Sequence, residues 1–308
     1  MNMKRCRPGG AVLPAITVLA PISWGTGYLV VTELLPPGRP LLVATMRVVP
    51  SGLALLLVAA ARRSWWRPRG AEWWQTGVLA ICNFGIFFPL LAVAVYRLPG
   101  GVAAAVGGLQ PLLVVGLSFV VAARRLRSME IAVGCAAAMG VALVVIHPGA
   151  GIDPVGILAA VAATVSFALG VVLTKRFPVP SDRVASTGWQ LLMGGVALVP
   201  VGFLVEGAPP ALTQRNVVGF AYLSLVTTAL AFVLWFNGIR RLPTPAPPLL
   251  GLAAPVTGVA IGWIVLGQSL SPVQLFGLAV TLSAIAYGST LGTGRELSIL
   301  PNAPVSAQ

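Results

Sequence analysis

Charge is scarce in this chain, and acid is scarcer still. Of 308 residues only 9% are charged, and seven Asp and Glu stand against twenty Lys and Arg. Soluble domains carry roughly a quarter charged residues, so this composition excludes a water-soluble globular protein. None of the seven acids falls at the centre of an apolar run, and Glu33 and Glu206 stand near run ends. A carboxylate relay for protons inside a membrane is therefore absent. Histidine occurs once, at His147, with no second histidine or carboxylate at metal-ligand spacing. The three cysteines, Cys6, Cys82 and Cys135, are odd in number and also lack such spacing. They read as small packing residues, without a disulfide framework. No phosphate-cradling Gly-Lys loop, no Ser-His-Asp set and no paired catalytic carboxylates occur. Neither ATP-driven pumping nor enzyme chemistry is expected, and no metal or organic cofactor is implied.

What the chain has in abundance is hydrocarbon: 57% hydrophobic residues and a mean hydropathy of +0.93. Apolar runs long enough to cross a bilayer recur along its length, which predicts an all-α integral membrane protein. The short alternating segments of an outer-membrane barrel are missing. Ten spans are expected, at about 14–35, 40–61, 74–96, 101–122, 129–147, 154–175, 185–206, 216–239, 245–267 and 272–292. Lys4, Arg5 and Arg7 precede an apolar run without a clear small-residue cleavage site, so an uncleaved first span is expected.

A net charge of +13 and a pI near 11.3 would fit nucleic acid, but the placement of the cations does not. Sixteen of the twenty Lys and Arg fall on one side of the expected spans, three (Arg39, Arg97 and Arg215) on the other, and Arg47 within one. The crowded side is expected in the cytoplasm, with both termini and a tail over 293–308. Trp65, Trp66, Trp73 and Trp74 flank spans at that face, where an aromatic belt belongs.

The chain also repeats itself. Arg241-Leu242-Pro243 echoes Arg97-Leu98-Pro99, and Pro255 echoes Pro111, both 144 positions later. At 143 positions, Ser166 to Gly170 answers Ser23 to Gly27, and Gln190 answers Arg47. Two halves, 11–147 and 154–292, of five spans each are predicted. Five is odd, so the halves must insert upside down relative to each other, as in many secondary transporters, with a site near the midplane. Small residues at four-residue spacing (Gly100, Ala104, Gly108; Gly134, Ala138, Ala142; Gly258, Gly262) read as faces for close helix packing.

Arg47 is the charged residue well inside a span. An arginine at a helix centre costs roughly 2.5–3.5 kcal/mol on insertion scales. It reads either as a counter-charge for an anionic substrate group, or as a side chain that snorkels outward, pairs with Glu33 or caps carbonyls. Pro111 and Pro255 sit near mid-span, where each removes a backbone hydrogen bond and bends its helix. The other candidates to line a central cavity are Trp24, Tyr28, Asn83, Gln110, Ser166, Gln190, Thr227, Thr228 and Trp235. Aromatics among polar groups fit a planar or partly apolar organic molecule, although each could equally serve helix packing.

The span plan, Trp24-Gly25, Arg47 and the paired prolines together resemble the EamA family of the drug/metabolite transporter superfamily, over about residues 11 to 292. Thr32 to Leu41, Arg97 to Ala103 and Trp189 to Gly195 resemble the branch of probable blue-pigment (indigoidine) exporters. Pro245, Pro247 and Pro248 depart from that pattern. The resemblance implies efflux of amino acids or related metabolites from a bacterial inner membrane. The partners implied are a small-molecule substrate and the lipid bilayer, without nucleic acid, and a monomer is compatible with this. An importer or exchanger, or a membrane receptor or assembly factor that moves nothing, are the alternatives.

Overall fold

The computed structural model describes residues 12–63, 66–98, 106–122, 127–145, 153–178, 180–266 and 271–293. Among them the regular structure is helical. In chain order the helices are α1 (Val12–Leu34), α2 (Pro40–Ala61), α3 (Glu72–Arg97), α4 (Gln110–Ala122), α5 (Ser128–Val145), α6 (Pro154–Arg176), α7 (Arg183–Glu206), α8 (Gln214–Arg241), α9 (Ala246–Gly251, resuming as Ala253–Leu266) and α10 (Pro272–Thr293). Eight are long and apolar enough to cross a membrane, while α4 and α5 are shorter apolar helices. The chain is a multi-pass membrane protein. The expected tail over 293–308, the N-terminal basic cluster, His147 and the Gly100–Ala104 face lie outside the described residues, apart from Thr293 at the end of α10.

Helix ends follow the local chemistry. Asp153 and Asp182 begin α6 and α7 by accepting hydrogen bonds from the second and third residues beyond them, and Thr213 and Asn216 form a reciprocal capping box at α8. Gly207, with φ +75°, ends α7 in a conformation that favours glycine. Helix α2 opens at Arg39-Pro40 with no side chain of its own to cap it. Glu206 supplies the cap from the far end of α7, its carboxylate accepting from the N–H groups of Leu41 at 2.6 Å and Leu42 at 2.9 Å. Arg39 returns the favour by donating to the carbonyls of Glu206 and Ala208. A carboxylate at a helix N-terminus and a cation at a C-terminus both complement the helix dipole.

The helices pack in matched pairs: α3 with α6 and α1 with α8, α4 with α6 and α1 with α9, and the self-matched pairs α2 with α7 and α5 with α10. Exchanging α1–α5 for α6–α10 leaves this set unchanged. Helices α2 and α7 run antiparallel, since Gly195 abuts Val49, Gly52 abuts Leu192 and Gly188 abuts Leu56. Helices α5 and α10 do the same, with Gly140 against Thr281 and Gln274 donating to the carbonyl of Val144 at 3.0 Å. The close approach of α5 is therefore made by Gly140, while Gly134 of the expected small face meets Leu112 of α4. Cys82 is buried, whereas Cys135 is exposed.

Two features were not expected. Helices α3 and α8 each contain one wide π-helical stretch, Ile81–Ile86 and Leu225–Leu230, which start 144 positions apart. The mid-span prolines, expected to bend continuous helices, stand instead in the first turn of new helical segments. Pro111 is the second residue of α4, after a turn at 108–109, and Pro255 follows the interruption of α9 at Leu252. Proline lacks the N–H that would bond back four residues, and the first turn is where that loss is tolerated. The same rule accommodates Pro247 and Pro248 at the start of α9.

A Cβ at Gly52 would lie 2.7 Å from the backbone nitrogen of Leu192, whereas at Gly116 it would meet nothing within 4 Å. Gly52→Leu is expected to destabilise by about 1–3 kcal/mol through overpacking, read as a lower melting temperature in detergent, with Gly116→Ala unchanged. At the exposed end of α6, Asp153 bonds Arg97 at 3.1 Å, and this hydrogen bond, with the cap N–H groups, holds its carboxyl below the usual range. A depressed folded value means stability present above the ordinary pKa and lost as pH falls through the folded one. A small loss of thermal stability is expected on acidification, and Arg97→Gln should blunt it.

Candidate functional site

A cavity of about 210 Å³ occupies the half of the bundle nearest the α1–α2 turn, Arg97 and Asp153. It is walled by the second halves of α1 and α3 and the first halves of α2 and α6, with its floor reaching α8 and the interruption of α9. Most of its lining is carbon: valine, alanine, leucine and the rings of Phe87, Phe88 and Phe167. Toward the opposite end the bundle is closed by an aromatic layer. Phe84, Phe232 and Trp235 are fully buried there, and Trp24 meets Phe232 at 5.2 Å and Trp235 at 5.1 Å between ring centroids.

Arg47 lines the cavity from α2. Its Nε donates to Thr228 Oγ1 at 2.8 Å and its Nη2 reaches the carbonyl and hydroxyl of Thr227 at 3.4 and 3.3 Å. The guanidinium also lies 4.6 Å from the centre of the Phe88 ring. It thus points into the bundle toward α8. Its partners are positioned by the π-helical stretch of α8, where the extra residue per turn presents Thr227 and Thr228 together. A reciprocal serine clamp holds that stretch against α2: Ser51 donates to the carbonyl of Ser224 at 2.7 Å, and Ser224 to that of Met46 at 2.8 Å.

Of the other expected residues, Trp24, Gln110 and Pro255 line the cavity with Arg47. The indole N–H of Trp24 and the amide nitrogen of Gln110 are buried without a hydrogen-bond partner among the described residues. With Arg47 they make a wall rich in donors. Trp235 lies behind it, in ring contact with Trp24, its own N–H equally unpartnered. Pro111 does not line the cavity, but Gly107 and Gly251, whose carbonyls the two prolines release from helix bonding, both do.

Asn83 and Ser166 are set apart. Asn83 is wholly buried where α3 meets Gly170 of α6, and Ser166 donates to the carbonyl of Cys82 at 2.8 Å, so both serve the wide turn of α3. Gln190 lines a different and much smaller cavity. The side chain of Tyr28 lies outside the described residues. Sequence reading missed Phe87, Phe88, Phe167 and Phe232, because a ring in an apolar run looks like core. One signal was available: Phe232 follows Phe88 by the repeat distance of 144.

The EamA-like transporter family model matches this chain over residues 14–146 and again over 154–289. Protein PecM of Dickeya dadantii is 38% identical over 268 residues, covering 86% of this chain and 88% of that protein. A probable amino-acid metabolite efflux pump of Salmonella typhimurium is 27% identical, over 90% of this chain and 94% of its own. A solved crystal structure shares the fold with a TM-score of 0.74 at 22% identity, covering 92% of this chain and 98% of that one.

Removing the bond from Arg47 to Thr228 strands part of a half-buried cation, and hydrogen bonds to charged groups are worth about 1.5–3 kcal/mol. Thr228→Val should lower the melting temperature accordingly, and Thr228→Ser, which keeps the hydroxyl, should restore most of it.

Proposed function

The chain belongs to the EamA-like transporter family, and from that membership we propose that it is a secondary transporter exporting a small organic metabolite, an amino acid or related compound, across a bacterial inner membrane by alternating access. The observation that carries this reading is the cavity: a hollow lined by Arg47, Trp24 and Gln110, reaching Pro40 and the exposed Tyr96 toward one end of the bundle and bordered by buried aromatic rings toward the other. A bundle that can be open at one end while shut at the other is what alternating access requires.

In this reading two five-helix repeats, 11–147 and 154–292, face opposite ways. The antiparallel course of α2 against α7 and of α5 against α10, each a pair of repeat mates, supports that arrangement. The excess of Lys and Arg on one side supports both termini in the cytoplasm, an orientation in which this cavity lies toward the outer face. Arg47 answers an anionic group on the substrate, the donors of Trp24 and Gln110 answer its acceptor atoms, and the phenylalanines take its apolar body. The similarity to the probable amino-acid metabolite efflux pump of Salmonella typhimurium supports export.

The test begins with metabolite profiles of medium from overproducing and deleted cells, followed by flux in vesicles of known orientation. At equal expression Arg47→Gln should cut export about tenfold or more, and Gln110→Ala by a smaller factor, as the loss of one charge-assisted or one neutral hydrogen bond predicts. Unchanged flux in both variants discards the site. Saturable binding without flux identifies a receptor, and inward flux reverses the direction.

A further inference from the structure

A second cavity, of about 10 Å³, lies toward the opposite end of the bundle, between α6, α7 and α8. That is space for roughly one water at most. Its walls are the repeat mates of the open cavity's walls. Thr174, Arg183, Ser186, Thr187 and Gln190 follow Val31, Pro40, Val43, Ala44 and Arg47 by 143 positions, and Arg240 follows Tyr96 by 144. The small void thus stands at the place in the second half that the large cavity takes in the first.

The two differ in chemistry. Where the open cavity shows valine, proline and alanine, the shut one shows threonine, arginine and serine. Thr174 Oγ1 and Gln190 Oε1 are buried in it, their residues 1% and 3% exposed, without hydrogen-bond partners among the described residues. Arg183 donates from Nη1 to Asn237 Oδ1 at 2.6 Å, and Arg240 from Nη1 to the carbonyls of Phe177 and Pro178 at 3.4 Å. No carboxylate lines the cavity. A guanidinium carries five donors in a fork suited to a carboxylate, so two on adjoining helices form a receptor for an organic anion.

We propose that this shut cavity is the second half-site of the transport path, and that Arg183 and Arg240 hold the substrate's carboxylate there when the bundle opens at that end. The proposal rests on the alternating-access reading, under which this end faces the cytoplasm. Two guanidiniums then recruit an anion from the inside, and Arg47 alone holds it on the outside. The affinity is graded along the path, tighter where a metabolite must be gathered and weaker where it must be released.

The test uses full-length protein with its native cysteines replaced by alanine, and two thiol reagents as probes: a methanethiosulfonate bearing a sulfonate and one bearing a trimethylammonium group. Thr187→Cys reports from inside the shut cavity, with Ser186→Cys as a second reporter and Ala168→Cys, in the core, as the buried reference. Relative to their rates with a free thiol, the anionic reagent should modify Thr187→Cys about tenfold faster than the cationic one. Adding Arg183→Gln and Arg240→Gln should bring that ratio near one, while Arg183→Lys with Arg240→Lys should keep most of it. If the double variant does not fold, Arg183→Gln alone should give part of the loss. Both reporters reacting no faster than Ala168→Cys, or a charge preference that survives the glutamines, overturns the proposal. Labelling with anion preference but no flux keeps the anion site and removes the export reading. Flux without labelling does the reverse.

Discussion

The bundle depends on the backbone contact between α2 and α7. In lipid, apolar side chains gain little by leaving one hydrocarbon surrounding for another, so helices associate through close packing and polar contacts. Here Gly52, Gly188 and Gly195 let two backbones approach until a single added Cβ would collide. At one end of the contact Glu206 caps α2 and Arg39 caps α7. The same two helices carry Arg47 into the open cavity and Gln190 into the shut one. Whatever disturbs this contact therefore disturbs both cavities at once.

Arg47 is a half-buried cation within a span, and much of the surrounding architecture offsets its cost. Helix α8 widens into a π turn so that Thr227 and Thr228 both reach the guanidinium, and the Ser51–Ser224 clamp sets that turn at the right height. The Phe88 ring adds a cation–π contact at 4.6 Å. The matching π turn in α3 carries no such load, but it brings the Cys82 carbonyl to Ser166 and Asn83 to Gly170. One distortion, used twice at the repeat distance, serves a cation in one half and a helix contact in the other.

The class, the helices and the two-part organisation were legible because they depend on hydropathy and on echoes such as Arg97-Leu98-Pro99, which act locally along the chain. Arg47, Trp24, Gln110 and Pro255 were legible as cavity residues for a related reason: each is costly or disruptive in a span unless a hollow accommodates it. The π turns were not legible. Ile81–Ile86 holds Asn83 and Gly85 and Leu225–Leu230 holds Thr227 and Thr228, weak helix formers that mark no particular distortion, and the two stretches pack against α6 and α7 and against α2, respectively. The cap that Glu206 gives α2 joins residues 165 positions apart. The two prolines were placed correctly in sequence but misread in effect, because a break after Leu109 or Leu252 looks no different from a bend until the backbone is traced.

The carbon-lined hollow sets terms for anything that enters it. A passenger must shed most of its hydration shell to fit against phenylalanine and valine, and a desolvated polar atom costs several times what a paired one does. Compensation is on offer for hydrogen-bond acceptors from Arg47, Trp24 and Gln110, and for donors where the released carbonyls of Gly107 and Gly251 line the wall. Strongly hydrated ions thus meet a dielectric barrier, which a molecule with an apolar body and few polar atoms largely escapes. Selection of this kind is exercised through solvation rather than through a lock-like outline.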